Sequence, residues 1–152
     1  MTLRLHIAEL DRHLDQELGV SEWHEITQER IDAFARATGD EQWIHTDPER
    51  AREDSPFGGT IAHGYLTLSL APMLMAEIIE VLDASFLVNP GVERLRLRSA
   101  VPCGARVRMR ATLRRVRYLP EGRARVRIHL AFEVEGSNRP CALADANIVY
   151  YP

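Results

Sequence analysis

Between Phe57 and Asp83 the chain is almost continuously apolar, and from Ile61 to Leu82 its apolar positions fall on nearly every side of a helical wheel. A helix of that kind is buried all round. Its uncharged centre, Gly64 to Ala76, spans 13 residues before Glu77 and Glu80. That is too short for a bilayer core of about 30 Å. The pattern therefore predicts a buried helix in a soluble protein. Pro72 removes the hydrogen bond to the Leu68 carbonyl and should kink or split that helix.

Upstream, Leu3, Ile7, Leu10, Leu14 and Leu18 recur at helical spacing before Gly19, which predicts an amphipathic helix over 3–18. Ser21 to Ile26 reads as a brief strand. Thr27 can cap a helix carrying Ile31, Phe34 and Ala35, which Gly39 ends. Asp47 and Pro48 supply the cap and first position of another helix, from Glu49 to about Arg52, so 40–47 is a loop with fixed ends. Beyond the long helix the period changes to two. Val92 to Ser99, Ala105 to Tyr118, the stretch around Ala124 to Leu130, and Ala142 to Tyr150 alternate as strands, with a bulge near Arg114-Arg115 and turns at Pro120-Glu121-Gly122 and Gly136-Ser137-Asn138. Four antiparallel strands joined largely by hairpins are expected.

Helices followed by a meander imply an α+β architecture. An all-apolar helix needs cover on every side, which a strongly curved sheet wrapped round it provides, a second protomer closing what stays open. That arrangement is the hotdog fold. The 152 residues suit one domain, 1–152, and 45% hydrophobic with 27% charged is ordinary globular composition. Cys103 and Cys141 lack metal-ligand spacing and read as small buried hydrophobes in a reduced, cytoplasmic protein.

The net charge of −3 hides an asymmetry. Residues 1–85 carry six Arg against 17 acids, a balance of −11, whereas residues 86–152 carry 13 Arg against five, a balance of +8, and there is no lysine. Arg94, Arg96 and Arg98 alternate along one strand. They read as the solvated outer face of a sheet, with contact to ligand phosphates as the alternative. No nucleic-acid recognition module is present.

Asp40 and His45 lie five positions apart in the loop that also holds Trp43 and Ile44. A carboxylate and an imidazole at a partly apolar site form a competent acid–base pair, although a structural Asp and His fit the same spacing. His63-Gly64 opens the long helix, where free backbone N–H groups suit a developing oxyanion; a glycine required only for close packing is the alternative. His63 also fits a capping or packing role, and Ser69 a bond back to its own helix.

The segments Ala37-Thr38-Gly39-Asp40-Glu41-Gln42-Trp43-Ile44-His45-Thr46-Asp47-Pro48-Glu49-Arg50-Ala51 and Pro56-Phe57-Gly58-Gly59-Thr60-Ile61-Ala62-His63-Gly64 closely resemble the MaoC-like (R)-specific enoyl-CoA hydratases. Within that family they look most like the branch of nodulation protein N and the 3-hydroxyacyl-thioester dehydratases. Gly39, Asp40, Ile44, His45 and Ala51 match the family signature, while Gln42 and Trp43 stand where Asn and Pro are usual. The resemblance implies reversible syn hydration of a trans-2-enoyl thioester to a (3R)-3-hydroxyacyl thioester. Asp40 and His45 would be catalytic, Gly64 near the oxyanion hole, Ser69 orienting the aspartate, and Gln42, Trp43, Thr60, Ile61, Ala62 and His63 at the substrate. It implies no metal or redox cofactor, coenzyme A or acyl carrier protein as the substrate's handle, and a homodimer, with no nucleic acid or membrane as partner. A hotdog thioesterase and a non-catalytic acyl-thioester-binding or signalling protein are the other readings.

Overall fold

A computed structural model describes residues 1–152. The elements with marked caps form as the sequence dictates. In α1 (Gln28–Thr38) the Thr27 hydroxyl accepts from the Arg30 N–H, and Gly39 closes the helix at φ 79°. Only glycine adopts that conformation freely. Asp47 accepts from the Arg50 N–H and Pro48 opens α3 (Pro48–Asp54). The long helix is split at Leu70 into α4 (Gly64–Ser69) and α5 (Ala71–Ile78), with Pro72 in the first turn of the second segment, where its missing N–H costs nothing.

Three expectations fail near the N-terminus and the end of that helix. The predicted helix over 3–18 is instead strand β1 (Leu3–Leu5), a 3-10 helix (Ile7–His13) and strand β2 (Glu17–Val20). Ile7 and Leu10, three apart, are both buried, which suits three residues per turn, whereas Leu14 is exposed. The predicted strand over 21–26 shortens to β3 (His24–Glu25). The helical wheel through Leu82 ends at Ile78, because Ile79–Val81 becomes strand β4 and pairs in parallel with β1, Leu3 opposite Ile79. Asp83 then accepts the Ile7 N–H at 2.8 Å. Nor is the helix buried all round: Leu66, Leu74 and Ile78 are buried, but Tyr65 and Met73 are exposed.

The main sheet runs β2-β6-β7-β8-β5, with β3 also paired to β6 (Arg106–Tyr118). Strands β6, β7 (Ala124–Val134) and β8 (Ala142–Tyr151) are the expected meander, and the register shifts between Leu113 and Arg115 as the pattern indicated. Glu121 and Gly122, both at positive φ, make the first turn. Strand β5 (Phe86–Leu97) is longer than predicted and is not joined to β6 by a hairpin; it pairs with β8 at the far edge of the sheet. Its expected in–out alternation is also absent, Val92 and Leu97 being exposed.

The concave face carries Val107, Met109, Leu113, Ile128, Leu130 and Phe132, all essentially inaccessible, against Leu74 and Ile78 of α5. Each such side chain contributes about 1.5–3 kcal/mol by burial. The crossover from β5 to β6 passes under residues 60–62, where Ala62 N–H donates to Val101 O (2.8 Å) and Cys103 N–H to Thr60 O (2.9 Å). This clamps the segment before α4 onto the sheet and fixes the position of its carbonyls. Cys141 is buried and its thiol pushed up to about 11 by desolvation; Cys103, expected to be buried, is only partly so. No helix is long and apolar enough to cross a membrane.

Candidate active site

The loop between α1 and α3 is not irregular throughout: one helical turn, α2 (Trp43–Thr46), turns His45 inward until it is 6% exposed. Its Nδ1 lies 2.7 Å from the Ile61 carbonyl, which can only accept. The ring is therefore held with its proton on Nδ1 and its Nε2 free. Asp40, Gly39's neighbour, is partly exposed beside it. One nitrogen of His45, one of His63 and a carboxylate oxygen of Asp40 all lie within 4.8 Å of one another.

The pair is supported from three directions. Gln42 donates from Nε2 to Asp40 Oδ1 at 3.2 Å. That bond, reinforced by the nearby imidazoles, outweighs desolvation and holds the carboxyl below its ordinary range, so it is ionised at neutral pH. His63, 3% exposed, donates from Nε2 to the Asp40 carbonyl at 2.9 Å. Its ring stacks on His45 at 3.8 Å between centroids and leans on Phe34 at 4.9 Å. Gln28 donates to the His45 carbonyl at 2.7 Å and accepts from the Thr60 hydroxyl at 2.6 Å, tying α1, the loop and the clamped segment together.

A cleft of about 320 Å³ opens over His45, with Ile61, Ala62, Gly64 and Thr67 on one side and Leu97 and Arg98 on the other. Gly64 lines this space, and its N–H has no main-chain partner. A Cβ at Gly64 would meet the Leu97 side chain, which would have to shift to admit it. A second, larger cavity of about 560 Å³ lies across α4, lined mainly by apolar side chains of α5, β5 and β8. Leu68 and Ser69 face it.

Of the residues singled out in the sequence, His45, Ile61, Ala62 and Gly64 line this cleft, and Asp40, Gln42 and His63 gather beside His45 through the contacts above. Thr60 is buried behind it on Gln28, and Trp43 lies under the Arg50 guanidinium at 4.3 Å. Within one protomer Ser69 does not reach Asp40; its hydroxyl donates to the Tyr65 carbonyl at 2.6 Å. The sequence does not single out Gln28 or Leu97, and it marks Arg98 only as one of three alternating strand arginines. Gln28 had read only as the first residue of a capped helix, and nothing local marks it as a tie.

Two imidazoles and a carboxylate are also a donor set for a divalent ion. Here one nitrogen of each ring is committed to a carbonyl, and the ring planes are only 25° apart. That leaves one nitrogen on each ring uncommitted, with the Asp40 carboxylate beside them.

A curved antiparallel sheet around a split central helix, with an Asp–His loop at the helix N-terminus, defines a hotdog domain of the acyl-thioester type. The chain belongs to the MaoC like domain family, which it matches over residues 9–128. It is 41% identical over 144 residues, 95% of each chain, to 3-hydroxyacyl-thioester dehydratase Z of Mycobacterium tuberculosis. Nodulation protein N of Rhizobium leguminosarum is also 41% identical, over 93% of this chain and 88% of that protein. Among solved structures, the unliganded (R)-hydratase of Pseudomonas aeruginosa superimposes with a TM-score of 0.75 at 22% identity, covering 96% of this chain and 85% of that one.

Proposed function

We propose that the protein is a hydro-lyase that interconverts trans-2-enoyl and (3R)-3-hydroxyacyl thioesters by syn addition and loss of water. The observation that carries this is the approach of the ionised Asp40 carboxylate to His45, whose uncommitted nitrogen is Nε2, beside the cleft that His45 lines. Similarity to a 3-hydroxyacyl-thioester dehydratase over nearly the whole chain supports the same reading.

The two acceptors bind a water by its two hydrogens and turn its oxygen lone pair toward C3. As oxygen bonds to C3, one hydrogen passes to the pair, and the π electrons move onto the thioester oxygen as an enolate. In this reading the Gly64 N–H, with the first turn of α4, takes that charge. The same proton then goes to C2 from the same face. The enolate collapses back to the thioester carbonyl, and the net change is H at C2 and OH at C3. The thioester itself acidifies C2, so the chemistry calls for no metal and no redox cofactor.

The larger cavity suits an acyl tail. Beside it, strand β5 is an unpaired edge with Phe86, Leu87, Val88 and Val92 exposed, next to exposed Tyr65 and Met73. A long apolar edge is an aggregation hazard unless covered, and a second copy of the chain covers it. A cytoplasmic homodimer working on coenzyme A or carrier-protein thioesters follows from this reading. The test is loss of enoyl absorbance with crotonyl-, hexenoyl- and dodecenoyl-CoA, product chirality, and free thiol. Turnover to (3R) product without thiol release is expected. Thiol release instead makes the protein a thioesterase, and binding without turnover makes it an acyl-thioester binder.

A further inference from the structure

We propose that the outer face of the sheet holds a second binding site, an arginine-lined hollow that takes the phosphate groups of a small nucleotide-type polyanion. The hollow has a volume of about 620 Å³ and is walled by Arg94, Arg96, Arg114, Arg115, Arg127 and His129, from strands β5, β6 and β7. That volume lies within the range of small-molecule sites, roughly 300–1,000 Å³.

The backbone is deformed to make it. Glu93 pairs with Asp145 and Arg96 with Leu143, so β5 carries one residue more than β8 across this stretch, and Arg94 sits at φ 51°. Such a bulge re-aims side chains. Here it brings consecutive Glu93 and Arg94 to one face: Glu93 meets Asn147 and Arg127, while Arg94 donates from Nε to Asp145 Oδ2 at 2.7 Å. The Asp145 side chain, 2% exposed, also accepts from His129 Nδ1 at 2.8 Å. A buried carboxylate is costly and does little for stability by itself. Its place here fixes two cationic or donor groups around a concave surface.

The charge is left open only at this end of the face. At the other end Arg106, Arg108 and Arg110 are matched to Glu135, Glu133 and Glu17. In the hollow Arg96 and Arg115 have no carboxylate partner, nor do Arg117 and Arg125 on the adjoining shelf. Arg127 Nε is buried with no hydrogen-bond partner at all. Guanidinium groups meet phosphate oxygens two at a time. Two phosphomonoesters carry about −3 to −4 at neutral pH, a match for four unneutralised arginines. Free nucleotides and the head of a coenzyme A thioester share this chemistry. The second source is sterically close, since Arg96 faces the hollow while its neighbour Leu97 lines the cleft over His45.

The experiment titrates adenosine 3′,5′-bisphosphate and inorganic pyrophosphate calorimetrically into the full chain and into Arg96→Ala/Arg115→Ala. Neither arginine holds an ion pair, and thermal melting checks that the variant folds. Saturable binding that weakens at least tenfold in the variant, and remains unchanged in Arg52→Ala, is the expected result. Equal affinity in parent and variant overturns the proposal, as does an acidic carrier protein that binds where millimolar nucleotide does not. This arm needs no turnover, so it stands or falls apart from the hydro-lyase reading. Given nucleotide binding, a rise in KM for crotonyl-CoA but not crotonyl-pantetheine assigns the phosphates to the substrate's own handle. Unchanged KM for both assigns them to a free nucleotide.

Discussion

Two of the molecule's aspartate–histidine pairs stand in contrast, and the one joined by a direct hydrogen bond is the less fit for chemistry. Asp145 and His129 meet at 2.8 Å, and Arg94 takes the second carboxylate oxygen. Both oxygens are spent, so no acceptor remains for a water or a substrate. Asp40 and His45 are held instead through third parties, the Gln42 amide, the Ile61 carbonyl and His63, which leaves a carboxylate oxygen and Nε2 unclaimed. A carboxylate and an imidazole become an acid–base pair when their outward lone pairs are unclaimed, whatever the distance between them.

The largest expected contrast is catalytic. Asp40→Asn and His45→Gln should each lower kcat by about 10²–10⁴-fold, the usual worth of a positioned general acid or base. Asp145→Asn and His129→Gln should stay within about twofold of the parent. Comparable losses from both sets in initial-rate assays would show that the outer pair takes part after all.

Stability should reverse the order. Asp145→Asn removes the charge from three hydrogen bonds at a buried site and should cost about 1–2 kcal/mol in denaturant unfolding at pH 7, because hydrogen bonds to charged groups are worth about 1.5–3 kcal/mol and both partners can recover water. Burial alone would raise the Asp145 pKa, but the bonds from His129 and Arg94 bring it below its ordinary value. A depressed carboxylate stabilises the fold above the unfolded value, near 3.9, and that contribution is lost as pH falls through the folded one. The gap between Asp145→Asn and the parent should therefore close in acid. Asp40→Asn, at an exposed carboxylate, should barely change the unfolding curve.

A finer test uses pH. Gln42 is the main cause of the low Asp40 pKa, so Gln42→Ala lets that pKa rise and moves the acid limb of kcat to higher pH. A few-fold loss near pH 5 with little change near pH 8 is expected; an unshifted limb would remove Asp40 from the essential ionisations. The smallest effect belongs to His63→Phe, which keeps a ring against His45 and loses the bond to the Asp40 carbonyl. About a three- to tenfold fall in kcat at steady KM marks it as a positioning residue. A rise in KM alone would put it in contact with substrate, which its burial opposes.

Many of these features are legible in the chain without its fold. The Thr27 and Asp47 caps, the Gly39 stop, the split at Pro72 and the bulge near Arg115 use groups within a few residues of each other. Local physics suffices for such features. Asp40 and His45 are legible as a candidate pair because both sit in one loop bounded by those signals. Leu3 to Leu18, in contrast, keeps a helical spacing that the structure overrides. There, β1 finds β4, and Asp83 bonds Ile7 from 76 positions away.

The sequence by itself therefore determined the caps and stops of α1 and α3, the split of the central helix and the groups available in the loop. Only the tertiary structure decided that β5 lies beside β8 at the edge, that Gln28 ties Thr60 to His45, and that His63 faces Asp40's carbonyl rather than solvent. It also decided which arginines are neutralised and which are left free. Each of those outcomes depends on groups brought together from distant positions, where spacing along the chain carries no information about distance in space.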